Sequence, residues 1–144
     1  MKALVLAAGK STRIAPVAGG LPKPLLSIAG RPVVARTLAW LAESGVRDVW
    51  MNLHYRANDI RSAIGDGSAF GVRIRYAVEP EILGTAGAYR ALASEFGETT
   101  LVVYGDNLMR FDIAAFVAAH HRMLSGATIA LFDPAQHANS GIAG

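Results

Sequence analysis

Cysteine is absent from the 144 residues, which removes a disulfide framework, a thiolate nucleophile and a thiolate-bound zinc. No apolar run approaches the roughly eighteen residues that a membrane-spanning helix needs, so no membrane partner is expected. The short run Ala3 to Ala8 behind Met1-Lys2 is also too brief for a secretory leader, and the chain reads as cytoplasmic. Histidines are few, and His54, His120, His121 and His137 contain no His-x-x-x-His pair for zinc. Charge of one sign is missing over a long stretch, because no acid occurs ahead of Glu43. The net charge is nevertheless only +3, and the basic residues form no stripe interleaved with aromatics, so nucleic acid is not the expected partner. Internal repeats, linkers and low-complexity tracts are likewise absent.

What is present is a chain that can fold. Hydrophobic residues make up 52% of it and charged residues 17%, which excludes a disordered polymer. A length of 144 residues suits one domain, able to bury roughly two-thirds of the surface its unfolded form exposes.

The chemistry concentrates between Lys2 and Leu26. Ala3 to Ala8 reads as a buried strand stopped by Gly9. A loop follows, because Gly9, Gly19 and Gly20 free the backbone while Pro16, Pro22 and Pro24 deny it a helix. Lys10, Arg13 and Lys23 place three cations in that loop, beside the hydroxyls of Ser11 and Thr12. Such a set suits a polyanion, and a nucleoside triphosphate is the economical choice. Two familiar phosphate loops do not fit. A Walker A motif needs glycine where Leu4 stands, and a dinucleotide fingerprint needs glycines where Ser11 and Ile14 stand.

Downstream, the periodicity predicts helices over Arg31–Ser44, Asn58–Ile64, Gly84–Phe96 and Asp112–Ser125, each followed at once by glycine. Strands are predicted over Arg47–Leu53, Val72–Val78, Thr99–Tyr104 and Ala127–Phe132, with the TTLVVY segment apolar enough for burial on both faces. Strict alternation of strand and helix argues for a three-layer, Rossmann-like α/β sandwich with a mostly parallel sheet. In such folds ligands lie beyond the carboxyl ends of the strands. Gly9–Arg13, Asn52, Glu79 and Asp106 all fall there. Asp106, directly after a strand and Gly105, is a metal candidate, since a carboxylate at a sheet edge suits a hard cation that keeps several waters. Asp112 is expected to cap a helix rather than to bind metal.

Leu6-Ala7-Ala8-Gly9-x-Ser11-Thr12-Arg13-x-x-Pro16, followed by Pro22-Lys23-Pro24-Leu25, closely resembles the signature of the sugar-1-phosphate nucleotidyltransferases. Ser11 stands where that signature usually has glycine, and Ala18 where it often has threonine. Glu79-Pro80-x-x-Leu83-Gly84-Thr85 and Gly105-Asp106 match two later elements of the family. The resemblance implies transfer of a nucleotidyl group from an NTP to a sugar 1-phosphate. It implies nucleotide contacts from Leu6, Ala7, Ala8, Gly9, Lys10, Ser11, Thr12, Arg13, Lys23, Asn52, Glu79, Gly84, Thr85 and Asp106. Arg13 and Lys23 would carry the catalytic charges, Asp106 would bind Mg²⁺, and Gly141 would meet the sugar.

An acceptor-only carboxylate at Glu79 suits the two donors on the guanine edge, so guanylyl transfer to mannose or heptose 1-phosphate is favoured over uridylyl or thymidylyl transfer. N-acetylmuramate 1-phosphate and glucose 1-phosphate are the alternative acceptors, and a non-catalytic nucleotide-binding module is the alternative outside enzymes. The family's sugar-phosphate lysine and second metal aspartate normally come later in the sequence. The 1–144 stretch is therefore expected to be the amino-terminal, NTP-binding part of the domain, with the sheet incomplete at the C-terminus.

Overall fold

The computed structural model describes residues 1–11, 19–97 and 99–131. Its first strand, β1 (Lys2–Leu6), is the apolar run at the amino terminus. Ala3, Leu4 and Val5 are all fully buried. Successive side chains of a strand point to opposite faces, so burial of three in a row means that both faces are covered. After a 3₁₀ turn at Lys23–Leu25 come the short strands β2 (Ser27–Ile28) and β3 (Arg31–Pro32), which pair with each other in antiparallel. Then follow α1 (Val33–Glu43), β4 (Asp48–Leu53), α2 (Ala57–Ile64), β5 (Arg73–Val78), α3 (Gly84–Ala91) and β6 (Thr100–Tyr104).

Four strands form one sheet in the order β5-β4-β1-β6, with every pair parallel. The expected parallel α/β sheet is thus present. Strand succession runs one way from β1 through β4 to β5, then jumps back across β1 to β6. Crossovers of one hand consequently place α1 and α2 on one face and α3 on the other. Between β1 and β6 the order reverses, and at such a point the carboxyl ends of neighbouring strands diverge into a crevice. Leu4, Val5, Val34, Leu38, Leu41, Met51, Leu53 and Ile60 make up the fully buried centre.

Several boundaries differ from the sequence expectation, each for a local reason. β1 stops at Leu6 because the Ala7 amide leaves the ladder and donates to the Asn52 side chain. The helix expected over Gly84–Phe96 ends at Ala91, and a 3₁₀ turn at Ala93–Glu95 brings Phe96 back to stack on Tyr89 at 5.4 Å. Glycine in the left-handed region ends α1 and α2, at Gly45 and Gly65. Burial of β6 on both faces is not found. Leu101 and Val103 are buried while Val102 and Tyr104 are exposed, the alternation of a strand covered on one side.

The contacts divide the chain into two units, Met1–Arg110 and Phe111–Gly144. In the second, Asp112 caps α4 (Ile113–Met123) as expected, its carboxylate accepting from the Ala115 amide at 3.0 Å. The fifth strand expected at Ala127–Phe132 is not formed over residues 127–131. A strand needs a neighbour to take its backbone donors and acceptors, and among the described residues this segment has none in either sheet. Phe132 and Gly141 lie outside the described residues, as do Thr12 and Arg13. No helix among the described residues is long and apolar enough to cross a membrane.

Leu4 sits fully buried in the strand that pairs on both of its edges. Leu4→Ala is expected to cost about 2–5 kcal/mol, measured by denaturant unfolding. A cost below about 1 kcal/mol would mean that the centre of the sheet repacks freely.

Candidate functional site

A cavity of about 480 Å³ opens at the carboxyl ends of the parallel strands, within the range of small-molecule sites. Its floor is Leu6 and the loop that leaves β1, with Ala7, Ala8, Gly9, Lys10 and Ser11. Lys23 and Pro24 enter from the 3₁₀ turn, Asn52 from β4, Glu79 and Ile82 from beyond β5. Gly84 and Thr85 open α3, and Tyr104 and Asp106 come from the end of β6. Every residue singled out from the sequence that the structure describes, other than Gly141, Thr12 and Arg13 outside it, therefore lines one space. Pro24, Ile82 and Tyr104 were not foreseen. Ile82 and Tyr104 are large and exposed, and their neighbours in sequence carry the motif while they do not.

Gly105 is required by close approach. A Cβ there would lie 2.9 Å from Val5 Cγ1 and 3.2 Å from the Leu6 carbonyl oxygen. Its amide donates to that same oxygen at 2.9 Å. The turn is thereby pressed against β1, and Asp106 is delivered to the cavity beside the glycine loop.

Asp106 Oδ2 and Lys23 Nζ form an ion pair at 3.0 Å, with the two side chains 30% and 38% exposed. A pair so open to water contributes about 0–1 kcal/mol. Both partners can thus turn to a ligand at little cost. Among the described residues no group of three or more His, Asp or Glu could hold a metal by itself. A lone accessible carboxylate still fits Mg²⁺, which commonly takes one or two carboxylates and completes its shell with water and substrate phosphates.

Opposite that ion pair lies a buried polar chain. Asn52 and Glu79 are only 4% and 6% exposed, and with Thr37 they are the buried polar residues among those described. Asn52 Oδ1 accepts from the Ala7 amide at 2.9 Å, while Asn52 Nδ2 donates to Glu79 Oε1 at 2.8 Å. Glu79 Oε2 accepts from the Leu83 amide at 3.1 Å. The Glu79 amide donates to the Leu53 carbonyl, extending the register of β4 and β5 by one residue. On the rim, the hydroxyls of Thr85 and Tyr104 lie 3.2 Å apart.

A profile of the Nucleotidyl transferase family matches residues 2–142, nearly the whole chain. The chain belongs to that family. It is 42% identical over 117 residues to the N-acetylmuramate alpha-1-phosphate uridylyltransferase of Neisseria meningitidis serogroup B, covering 80% of this chain and 51% of that protein. It is 34% identical over 130 residues to the mannose-1-phosphate guanylyltransferase of Mycobacterium tuberculosis, covering 90% of this chain and 36% of that protein. The solved structure of HddC from Yersinia pseudotuberculosis superposes with a TM-score of 0.75 at 28% identity, over 83% of this chain and 53% of that one. The chain thus spans about half the length, or less, of the relatives it matches.

Within this nucleotidyl transferase loop, the departure at Ser11 has a structural cost and a structural use. Ser11 has φ +58°, in the left-handed region that favours glycine. Its hydroxyl oxygen accepts from the Lys23 amide at 2.8 Å, which fastens the glycine loop to the turn that carries the cation. Serine therefore trades strain for a tether. Ser11→Ala keeps the strain and loses the tether, and is expected to destabilise by about 0.5–1.5 kcal/mol. Ser11→Gly loses the tether and relieves the strain, and is expected to fall within about 0.5 kcal/mol of the unsubstituted chain. Urea unfolding of the two variants checks the order.

Proposed function

We propose that the protein transfers a nucleotidyl group from an NTP to a sugar 1-phosphate, releasing pyrophosphate. The cavity supports this reading: glycine-loop amides, a lysine and a strand-end carboxylate converge at the point where the parallel sheet reverses its order. The nucleophile is a phosphate oxygen of the sugar 1-phosphate. It forms a bond to the α-phosphorus as the bond from that phosphorus to the bridging oxygen breaks, and the electron pair leaves with pyrophosphate. No serine, cysteine or histidine nucleophile is needed, so the protein contributes alignment and neutralisation of charge.

In this reading Lys23 holds the α-phosphate or the incoming phosphate, and Arg13 steadies the β- and γ-phosphates. The loop from Leu6 to Thr12 wraps the triphosphate, and Gly141 meets the sugar. Asp106 would hold Mg²⁺, which when bound neutralises phosphate charge. Unit charges 4 Å apart gain about 1 kcal/mol in bulk water and about 4 kcal/mol at an effective dielectric near 20. The cations therefore matter most once the ligand itself has displaced water from the cavity. A cytoplasmic setting is part of the proposal, and the cysteine-free composition permits it.

Two nucleotides compete. Uridylyl transfer is supported by the 42% identity to the Neisseria uridylyltransferase, and by the Asn52 and Leu83 donors already held by the two Glu79 oxygens. Guanylyl transfer to mannose or heptose 1-phosphate is supported by the remaining lone pairs of that carboxylate and by the mycobacterial guanylyltransferase relative. We favour uridylyl transfer, with N-acetylmuramate 1-phosphate as the first acceptor to try.

Pyrophosphate release measured with UTP, GTP and dTTP against a panel of sugar 1-phosphates tests the reaction, with the fastest release expected from UTP. Nucleotide binding without pyrophosphate release from any pair would leave a binding module in its place. Asp106→Asn is expected to abolish the Mg²⁺-dependent part of the nucleotide-induced rise in melting temperature. A rise that still depends on Mg²⁺ to the same extent would remove the metal role of Asp106.

A further inference from the structure

The buried chain from Ala7 through Asn52 and Glu79 to Leu83 has a donor at each end, and this fixes what may stand between. The Ala7 amide points in from one side and the Leu83 amide from the other. A carboxamide passes a hydrogen bond along, accepting at its oxygen and donating at its nitrogen, whereas a carboxylate only accepts. Two inward-pointing donors joined by two side chains are therefore satisfied, without uptake of a proton, by one carboxamide and one carboxylate. Two carboxamides leave donor facing donor, whichever way each amide is turned. Two carboxylates leave acceptor facing acceptor across the 2.8 Å contact between positions 52 and 79. At 4% and 6% exposure there is little water to relieve either conflict.

The two ends of the chain mark two edges of the cavity, its lips: Ala7 lines it, and Leu83 stands between the lining residues Ile82 and Gly84. Ala7 begins the glycine loop that carries Lys10 and Ser11, and Leu83 caps α3 just ahead of Gly84, whose φ is +70°. His54 Nδ1 lies 2.9 Å from the Glu79 carbonyl oxygen and further fixes where β5 ends. We propose that Asn52 and Glu79 are positioning residues: their polarity-matched pair sets the spacing of the two lips, and nucleotide affinity depends on one carboxylate in the pair rather than on its place at position 79. This deepens the nucleotide-site reading and rests on it.

The test is a swap. Asn52→Asp alone and Glu79→Gln alone each break the pattern. Each is expected to weaken binding of the NTP preferred by the unsubstituted protein by on the order of 10- to 100-fold, and to speed hydrogen exchange at the Ala7 or Leu83 amide. The double variant Asn52→Asp/Glu79→Gln restores one carboxamide and one carboxylate in reversed positions. It is expected to bind that NTP to within about twofold of the unsubstituted protein and to recover the slow exchange at both amides. Thr37→Val removes the hydroxyl of the third buried polar residue, in α1 and outside the cavity, and serves as the control that lowers stability without changing nucleotide affinity.

A double variant no better than the single ones overturns the proposal. So does a shift in NTP preference common to Glu79→Gln and the double variant, because the charge at position 79 would then read the base directly. If the unsubstituted protein binds no NTP, the nucleotide reading fails by itself. Exchange at Ala7 and Leu83 still decides whether the polarity rule governs the two lips.

Discussion

Pairing of β1 along both of its edges is the constraint from which the site follows. Because β4 and β6 run parallel to it, three strands deliver their carboxyl ends to one rim, and β5 adds a fourth. The rim is where backbone groups run out of ladder partners. At Ala7 the next acceptor is a side chain, Asn52, and at Gly105 it is the Leu6 carbonyl. The cavity is thus built from the way the sheet ends, and its two walls are tied to neighbouring strands rather than to each other's backbones.

Two polar arrangements of opposite character face that space. Lys23 and Asp106 are partly open to water and weakly held, which leaves both able to exchange partners. Asn52 and Glu79 are buried, and every oxygen and nitrogen of their side chains is in a hydrogen bond. The first pair brings opposite charges to the cavity, and the second joins the loop after β1 to the start of α3. Ser11 connects the two, since its hydroxyl ties the glycine loop to the amide of Lys23.

Much of this was legible in the sequence. Short runs of apolar and β-branched residues between the glycine-closed helices marked the four strands of the parallel sheet to within a residue or two. Placement of Asn52 near the end of its run, and of Gly9, Glu79 and Asp106 just beyond theirs, predicted that they would share one rim. What the sequence did not carry was tertiary. Nothing in TTLVVY tells how many of its faces are covered, and nothing in Ala127–Phe132 supplies the neighbour a strand requires. Tyr104 and Ile82 belong to the cavity through the bend of the chain around them. Glu79 was legible as an acceptor, but its bond to Asn52 spans 27 residues and depends on the register of β4 against β5. The unusual serine at position 11 was visible as a departure from the family signature, and only its left-handed backbone explains why glycine is the common choice there.

The resting contact between Lys23 and Asp106 bears on how the cavity meets a charged visitor. A simple anion would take the ammonium and leave the carboxylate to water, and a bare cation would do the reverse. A guest that brings both signs together releases the two side chains in one exchange and leaves neither in deficit. Because the contact is weak and open to water, it bars none of these guests and only keeps the two charges matched at rest.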